Sequence, residues 1–123
     1  GKIKWYRSLP GGVKSTLLLH GNDLWAGAVS KNFFVLNAQT GEIIHTITTD
    51  AGFSVAPLLY QDILWVGGED FHIYALSLSQ KRVLWKHILP EKIFATPACD
   101  GNYIYIAAGR TIYCYWISDI FKE

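Results

Sequence analysis

Four histidines and two cysteines are the side chains best suited to metal or covalent chemistry in this 123-residue sequence. A zinc site needs three or four converging His, Cys or carboxylate ligands. His20, His45, His72 and His87 stand at different phases of the repeat described below, so their spacing assembles no such site. Cys99 and Cys114 are not spaced as a C-x-x-C metal or redox motif. They read as two buried, reduced thiols acting as small hydrophobes; a disulfide is the alternative, and the redox compartment stays open. No phosphate-binding loop, no Gly-x-Ser-x-Gly elbow and no paired catalytic carboxylates occur. The expectation is a chain without catalytic, cofactor or metal residues.

Charge and hydropathy narrow the classes further. The formal net charge is +1, with Lys and Arg scattered along the chain. Nucleic-acid binders cluster their basic residues, so no nucleic-acid partner is expected. No apolar run approaches the ~18 residues of a membrane span. The opening Gly1-Lys2-Ile3-Lys4-Trp5 lacks a secretory apolar core. With no Met and a Gly at the start, the sequence is expected to be a processed chain or an excised segment of something longer. The cellular compartment is left open.

The elements that position these residues repeat. Gly1 to Thr40, Gly41 to Gln80 and Lys81 to Ile120 align without a gap. Trp5 falls on His45 and Trp85; Trp25 falls on Trp65 and Tyr105. Leu24-Trp25-Ala26-Gly27 matches Leu64-Trp65-Val66-Gly67, and Pro57 matches Pro97. A period of about 40 residues made of strand-like segments is the mark of β-propeller blades. The single repeat domain, 1–123, is therefore expected to be all-β, with three four-stranded antiparallel repeats.

Short β-prone segments separated by turn residues carry that reading. In the second repeat they are Phe53–Tyr60, Ile63–Gly67, Phe71–Leu76 and Arg82–Ile88. The third gives Ile93–Cys99, Tyr103–Ala107 and Thr111–Tyr115. The first gives Val13–Leu19, Leu24–Val29 and Phe33–Asn37. Continuous apolar runs such as Leu17-Leu18-Leu19 and Ile104-Tyr105-Ile106 suit strands covered on both faces. Trp25 and Trp65 recur at one phase and read as packing between blades. Trp116 has no aromatic counterpart and reads as an exposed or interface side chain. No helix longer than a turn is expected.

These residues resemble the repeats of the pyrroloquinoline-quinone-type (quinoprotein alcohol dehydrogenase-like) β-propeller family. That family's repeat carries a tryptophan-docking segment, roughly A-x-D-x-x-T-G-x-x-x-W. Here it stands as Val35-Leu36-Asn37-Ala38-Gln39-Thr40-Gly41 leading to His45. It recurs as Ala75-Leu76-Ser77-Leu78-Ser79-Gln80-Lys81 leading to Trp85. Gly1 to Trp5 looks like the tail of another copy, so Trp5 and Trp85 are the expected structural docking residues. His45 stands where a docking Trp is expected and reads as a half-buried structural His.

The resemblance implies that the Trp-bearing strand lies outermost in a blade and the Pro-bearing strand innermost. The chain would then open on an outer strand, Lys2 to Arg7, run through two complete blades, and end on a blade lacking its outer strand. A ring needs roughly 4–8 blades, and three do not close one. Lys2–Arg7 would complete the last blade of a neighbouring chain, with Ile3 and Trp5 pairing across to Tyr113 and Tyr115. Two copies would make a six-bladed ring; the other possibility is a part of a larger propeller. The partners expected are thus a second copy of this chain or the remaining blades.

Family members that are dehydrogenases hold a quinone and calcium in the channel with an acidic pair, an Asn and stacking Trp. The innermost segments here offer only Lys14, Ser15, Thr16, Ser54 and Thr96 as polar side chains, so no cofactor is expected. One channel rim would carry Lys31, Glu69, Asp70 and Arg110, a candidate contact surface for a protein partner. The function expected is a non-enzymatic interaction or scaffold module. The alternatives are a ligand- or peptide-sensing propeller domain of a larger receptor, and a fragment of a quinoprotein dehydrogenase without its cofactor site.

Overall fold

A computed structural model describes residues 1–121. Three antiparallel sheets follow one another along the chain. The first holds β1 (Leu18–His20), β2 (Asp23–Gly27), β3 (Phe33–Asn37) and β4 (Ile43–Ile47) in sequence order. The second holds β5 (Leu58–Tyr60), β6 (Ile63–Gly67), β7 (His72–Ser77) and β8 (Arg82–Ile88) in the same order. The third has β9 (Ala98–Cys99), β10 (Tyr103–Ala108) and β11 (Thr111–Trp116), followed by a one-turn helix, α1 (Ile117–Ile120). The three sheets have the make-up of propeller blades: two of four strands and one of three.

The innermost strands are shorter than Val13–Leu19, Phe53–Tyr60 and Ile93–Cys99 suggest. In blade 1, Val13 bridges Ala28 and Leu18 pairs with Trp25. In blade 3, Ile93 bridges Ala108 and Ala98 pairs with Tyr105. Each inner strand thus advances further than its neighbour between these two points, and the surplus residues break the ladder as a bulge does. Pro57 and Pro97, which lack an N–H to donate, sit immediately before β5 and β9.

Apolar faces of successive blades make the core. Trp25, Phe33, Val35 and Ile47 of blade 1 pack on Phe53, Leu64, Val66, Tyr74 and Leu76 of blade 2. Aromatic edges run through this seam, with Phe33 to Phe53 at 5.2 Å and Phe53 to Tyr74 at 5.4 Å between ring centroids. Trp65, Ile73 and Ala75 repeat the arrangement on Ile93, Ile104 and Ile106 of blade 3. Close approach demands small residues: a Cβ on Gly52 would run into the carbonyl of Val29. There the backbones meet, and Phe53 N–H donates to the Ala28 carbonyl at 2.9 Å.

The gapless phasing fails in the third repeat. Gly27 pairs with Phe33 and Gly67 with Ile73, but Ala108 pairs with Thr111 across only Gly109-Arg110. One turn residue is missing, so β11 is shifted by one against the earlier blades. The equivalent hydrogen bonds Ala38 N–H to Asn22 O, Leu78 N–H to Asp62 O and Ile117 N–H to Asn102 O mark the same shift. Because side chains alternate across a strand, a one-residue slip moves each to the opposite face. Ile112, not Tyr113, therefore occupies the place of Phe33 and Ile73. Tyr113 and Tyr115 turn inward against blade 2.

Lys2–Arg7 forms no strand within the chain. An outer strand needs a neighbouring sheet edge, and none lies beside it here. Trp5 is nevertheless held, as described next.

Candidate interaction surfaces

The turn after β3 receives the N-terminal segment. Asn37 Oδ1 accepts from the N–H groups of Gln39 and Thr40, shaping the turn. Gly41 takes φ +75°, and a Cβ there would collide with the Trp5 ring. The Trp5 indole N–H donates to the Ala38 carbonyl at 3.0 Å. Arg7 Nε donates to the Gly41 carbonyl at 2.8 Å, and Lys4 Nζ to Gln39 Oε1 at 2.7 Å.

The equivalent docking points differ. In blade 2 the glycine place is taken by Lys81 at φ +53°, whose ammonium lies 3.4 Å from Asp23 of blade 1. His45, expected to be half-buried at this phase, is exposed; Lys81 carries the Cβ that Gly41 lacks, and at Gly41 that atom would occupy the space of the docked ring. Trp85 instead joins an aromatic group: it stacks on His87 and meets Trp65 and Tyr115 edge-on.

The rim residues do not form one cluster. Glu69 accepts from Lys92 Nζ at 2.7 Å and from the Ser54 hydroxyl. The Lys92 and Ser54 donors hold its carboxyl below the usual value. Neighbouring Asp70 serves its own turn: it accepts from Tyr74 OH at 2.7 Å and from His72 N–H at 3.2 Å. Burial and the Asp70 carboxylate push the Tyr74 phenol well upward. The Arg110 backbone donates to Glu91, and Lys31 is exposed. Cys99 is half-buried and Cys114 exposed, both free thiols, so the expected buried pair is corrected. The slip of β11 is the reason, since it turns Cys114 outward.

The ends of the arc are unlike, and among the described residues no further sheet packs on either. Blade 1 presents an open groove of about 340 Å³ lined by Trp5, Leu9, Leu17, Leu24, Ala26 and Leu36. Leu17 is 51% exposed in it. Ala26 and Leu36 are clustered with the buried Ala28 and Phe34. Blade 3 ends in Tyr105, Ile112, Cys114 and Trp116; Ile112 is 76% exposed and Trp116 54%. Sequence reading missed the groove. Its signal was available, because Leu24, Ala26 and Leu36 stand at the phases of Leu64, Val66 and Leu76, which blade 1 covers in blade 2.

Among the described residues no group of three or more His, Cys, Asp or Glu stands close enough to hold a metal ion. The inner segments do not fit a calcium–quinone site either. Calcium takes six to eight oxygen ligands. The carboxylate of Glu69 at this rim is already engaged by Lys92 and Ser54.

Successive antiparallel sheets packed face on face, two of four strands and one of three, with Trp5 docked at the edge of the first, define an arc of β-propeller blades. The chain is similar to BamB from Moraxella catarrhalis, with a TM-score of 0.80 and 22% identity over 94% of this chain and 37% of that one. It is also similar to quinohemoprotein alcohol dehydrogenase ADHIIG from Pseudomonas putida HK5, with a TM-score of 0.69 and 14% identity over 89% of this chain and 20% of that one. The chain thus spans well under half the length of either structure. At these identities the likeness concerns the fold. No protein-family model matches the sequence, and no curated protein sequence matches it.

Proposed function

We propose that this chain is a non-enzymatic propeller arc that acts through assembly and protein binding. The observation that carries this reading is the pair of open ends. Each repeats a surface that the chain buries internally: the groove of blade 1 repeats the face of blade 2 that receives Trp25, and Tyr105 repeats the phase of Trp25 and Trp65. Contiguous apolar surface of this kind marks protein contact sites. A second copy, or further blades, would cover both ends. The polar rim at Lys31, Glu69, Asp70 and Arg110 would then border a channel mouth and supply contacts to a protein partner.

Light scattering behind a sizing column, over a dilution series, tests the reading. The chain is expected to run as a discrete assembly, and Leu17→Lys, which places a charge in the groove, is expected to shift it to a monomer with an unchanged circular dichroism spectrum. A folded monomer at every concentration of the parent chain would sink the reading.

A further inference from the structure

Strand count differs between the two ends. Among the described residues blade 3 has three strands, and none of them pairs with the outer edge of β11, which leaves its backbone groups open on that side. Blade 1 carries a surplus segment, Lys2–Arg7, held at its outer edge by Trp5 on Ala38 and Arg7 on Gly41. We infer that Lys2–Arg7 of a second copy adds to β11 as the missing outer strand of blade 3, in one defined register. This rests on the assembly reading above and specifies how assembly occurs.

The two complete blades supply the register. Phe33 pairs with Ile47, Phe34 with Thr46, Val35 with His45 and Leu36 with Ile43. Ile73 pairs with His87, Tyr74 with Lys86, Ala75 with Trp85 and Leu76 with Val83. Both ladders shift at the same step, passing over Ile44 and Leu84. Transferred to the shortened third blade, the pattern sets Ile112 opposite Arg7, Tyr113 opposite Tyr6, Cys114 opposite Trp5 and Tyr115 opposite Ile3. Lys4 is the residue passed over. The gapless alignment would have set Tyr115 opposite Trp5 and Tyr113 opposite Arg7, which the slip of β11 overturns.

Side-chain chemistry agrees with this register. The small Cys114 meets the broad Trp5, as Ala75 meets Trp85 in blade 2. The apolar pair Tyr115–Ile3 repeats Leu36–Ile43 and Leu76–Val83. Ile3, 77% exposed in the isolated chain, gains its cover. Trp5 does not have to leave its dock. It already sits at the upstream edge of blade 1, where the outer strand of a preceding blade belongs. Joined head to tail, two copies give six blades, within the ~4–8 of known propellers. The contact is heterologous, so it closes only if the arc angle permits.

Cross-strand partners lie close enough for a disulfide to report the register. Arg7→Cys and Ile112→Cys are made in separate chains, each carrying Cys114→Ser, and mixed under mild oxidation. Both positions are exposed, so the fold is expected to persist, and circular dichroism checks it. The expected result is a covalent dimer from this pair, with little from Tyr6→Cys plus Ile112→Cys, whose side chains lie on opposite faces. Hydrogen exchange on the unmodified chain is expected to show Thr111–Trp116 amides slowing as concentration rises. A discrete assembly with no Arg7–Ile112 cross-link and no such protection overturns the strand addition while leaving assembly standing. A monomer throughout overturns both. Protection that is independent of concentration overturns the second copy in favour of an occupant from the same chain.

Discussion

The indole N–H of Trp5 donates to the carbonyl oxygen of Ala38 across 33 residues of sequence, at 3.0 Å. The bond ties a segment without secondary structure to blade 1, and Gly41 leaves room for the ring. Gly41→Ala is expected to destabilise the chain by about 1–3 kcal/mol, since it combines a left-handed φ with a collision against the ring. Urea denaturation followed by tryptophan fluorescence measures it. An unchanged midpoint would mean that Trp5 is not docked in solution.

The one-residue slip of β11 has a direct readout in alanine substitutions. Tyr115 meets Trp85 and His87 edge-on, and its removal is expected to cost ~2–4 kcal/mol, the range of a large-to-small change in a packed seam. Ile112 is exposed, and Ile112→Ala is expected to stay within about 0.5 kcal/mol in the monomer, as for other surface changes. The gapless phasing predicts the reverse order, so comparing the two midpoints decides between them.

Trp25 is fully buried between blades 1 and 2. Trp25→Ala is expected to cost ~3–5 kcal/mol, which is a large share of the stability of a domain this size. Thermal unfolding by circular dichroism is expected to show a strongly lowered midpoint or no cooperative transition. Retention of the parent melting curve would count against face-to-face packing of the blades.

Acid is expected to weaken the fold. The Ser79 hydroxyl lowers the Asp62 carboxyl, with Ser77 and the Ser79 backbone adding to it, against an ordinary value of 3.8. Lys92 and Ser54 lower Glu69 from 4.5. The Tyr103 and Asn102 N–H groups lower Asp100. A folded-state value below the unfolded one means that the contribution is complete above pH about 4–5 and lost as pH falls through the lower folded values. Denaturation midpoints from pH 7 down to 2 are expected to hold and then drop. In Asp62→Asn part of the drop is expected to vanish, because the group no longer titrates.

The repeat was legible in the residues themselves. Ile63–Gly67, Phe33–Asn37 and Arg82–Ile88 are strands with the expected bounds. Apolar β-prone runs between turn residues are local signals, and local signals survive in a sequence. The docking segment was legible too, because Asn37 and Gly41 mark a turn by their own chemistry. The inner strands, by contrast, were read too long: between Val13 and Leu18 the inner strand carries more residues than the stretch opposite it and bulges out of the ladder.

Tertiary structure alone decided the facing of β11. Gly109-Arg110 differs from the longer turns of the earlier blades by one residue, a deletion that identity counting over three diverged repeats did not expose. Pairing geometry registers it at once, because the ladder from Ala108 to Thr111 fixes which side of the strand each later residue takes. That turns Ile112 and Cys114 outward and Tyr113 and Tyr115 inward. The ends of the arc were likewise decided in three dimensions. Leu24, Ala26 and Leu36 stand at core phases of the repeat; Ala26 and Leu36 are buried where Trp5 and Leu9 pack against their cluster, while Leu17 in the same groove is 51% exposed, a difference set by how the N-terminal segment folds back and not by residue type.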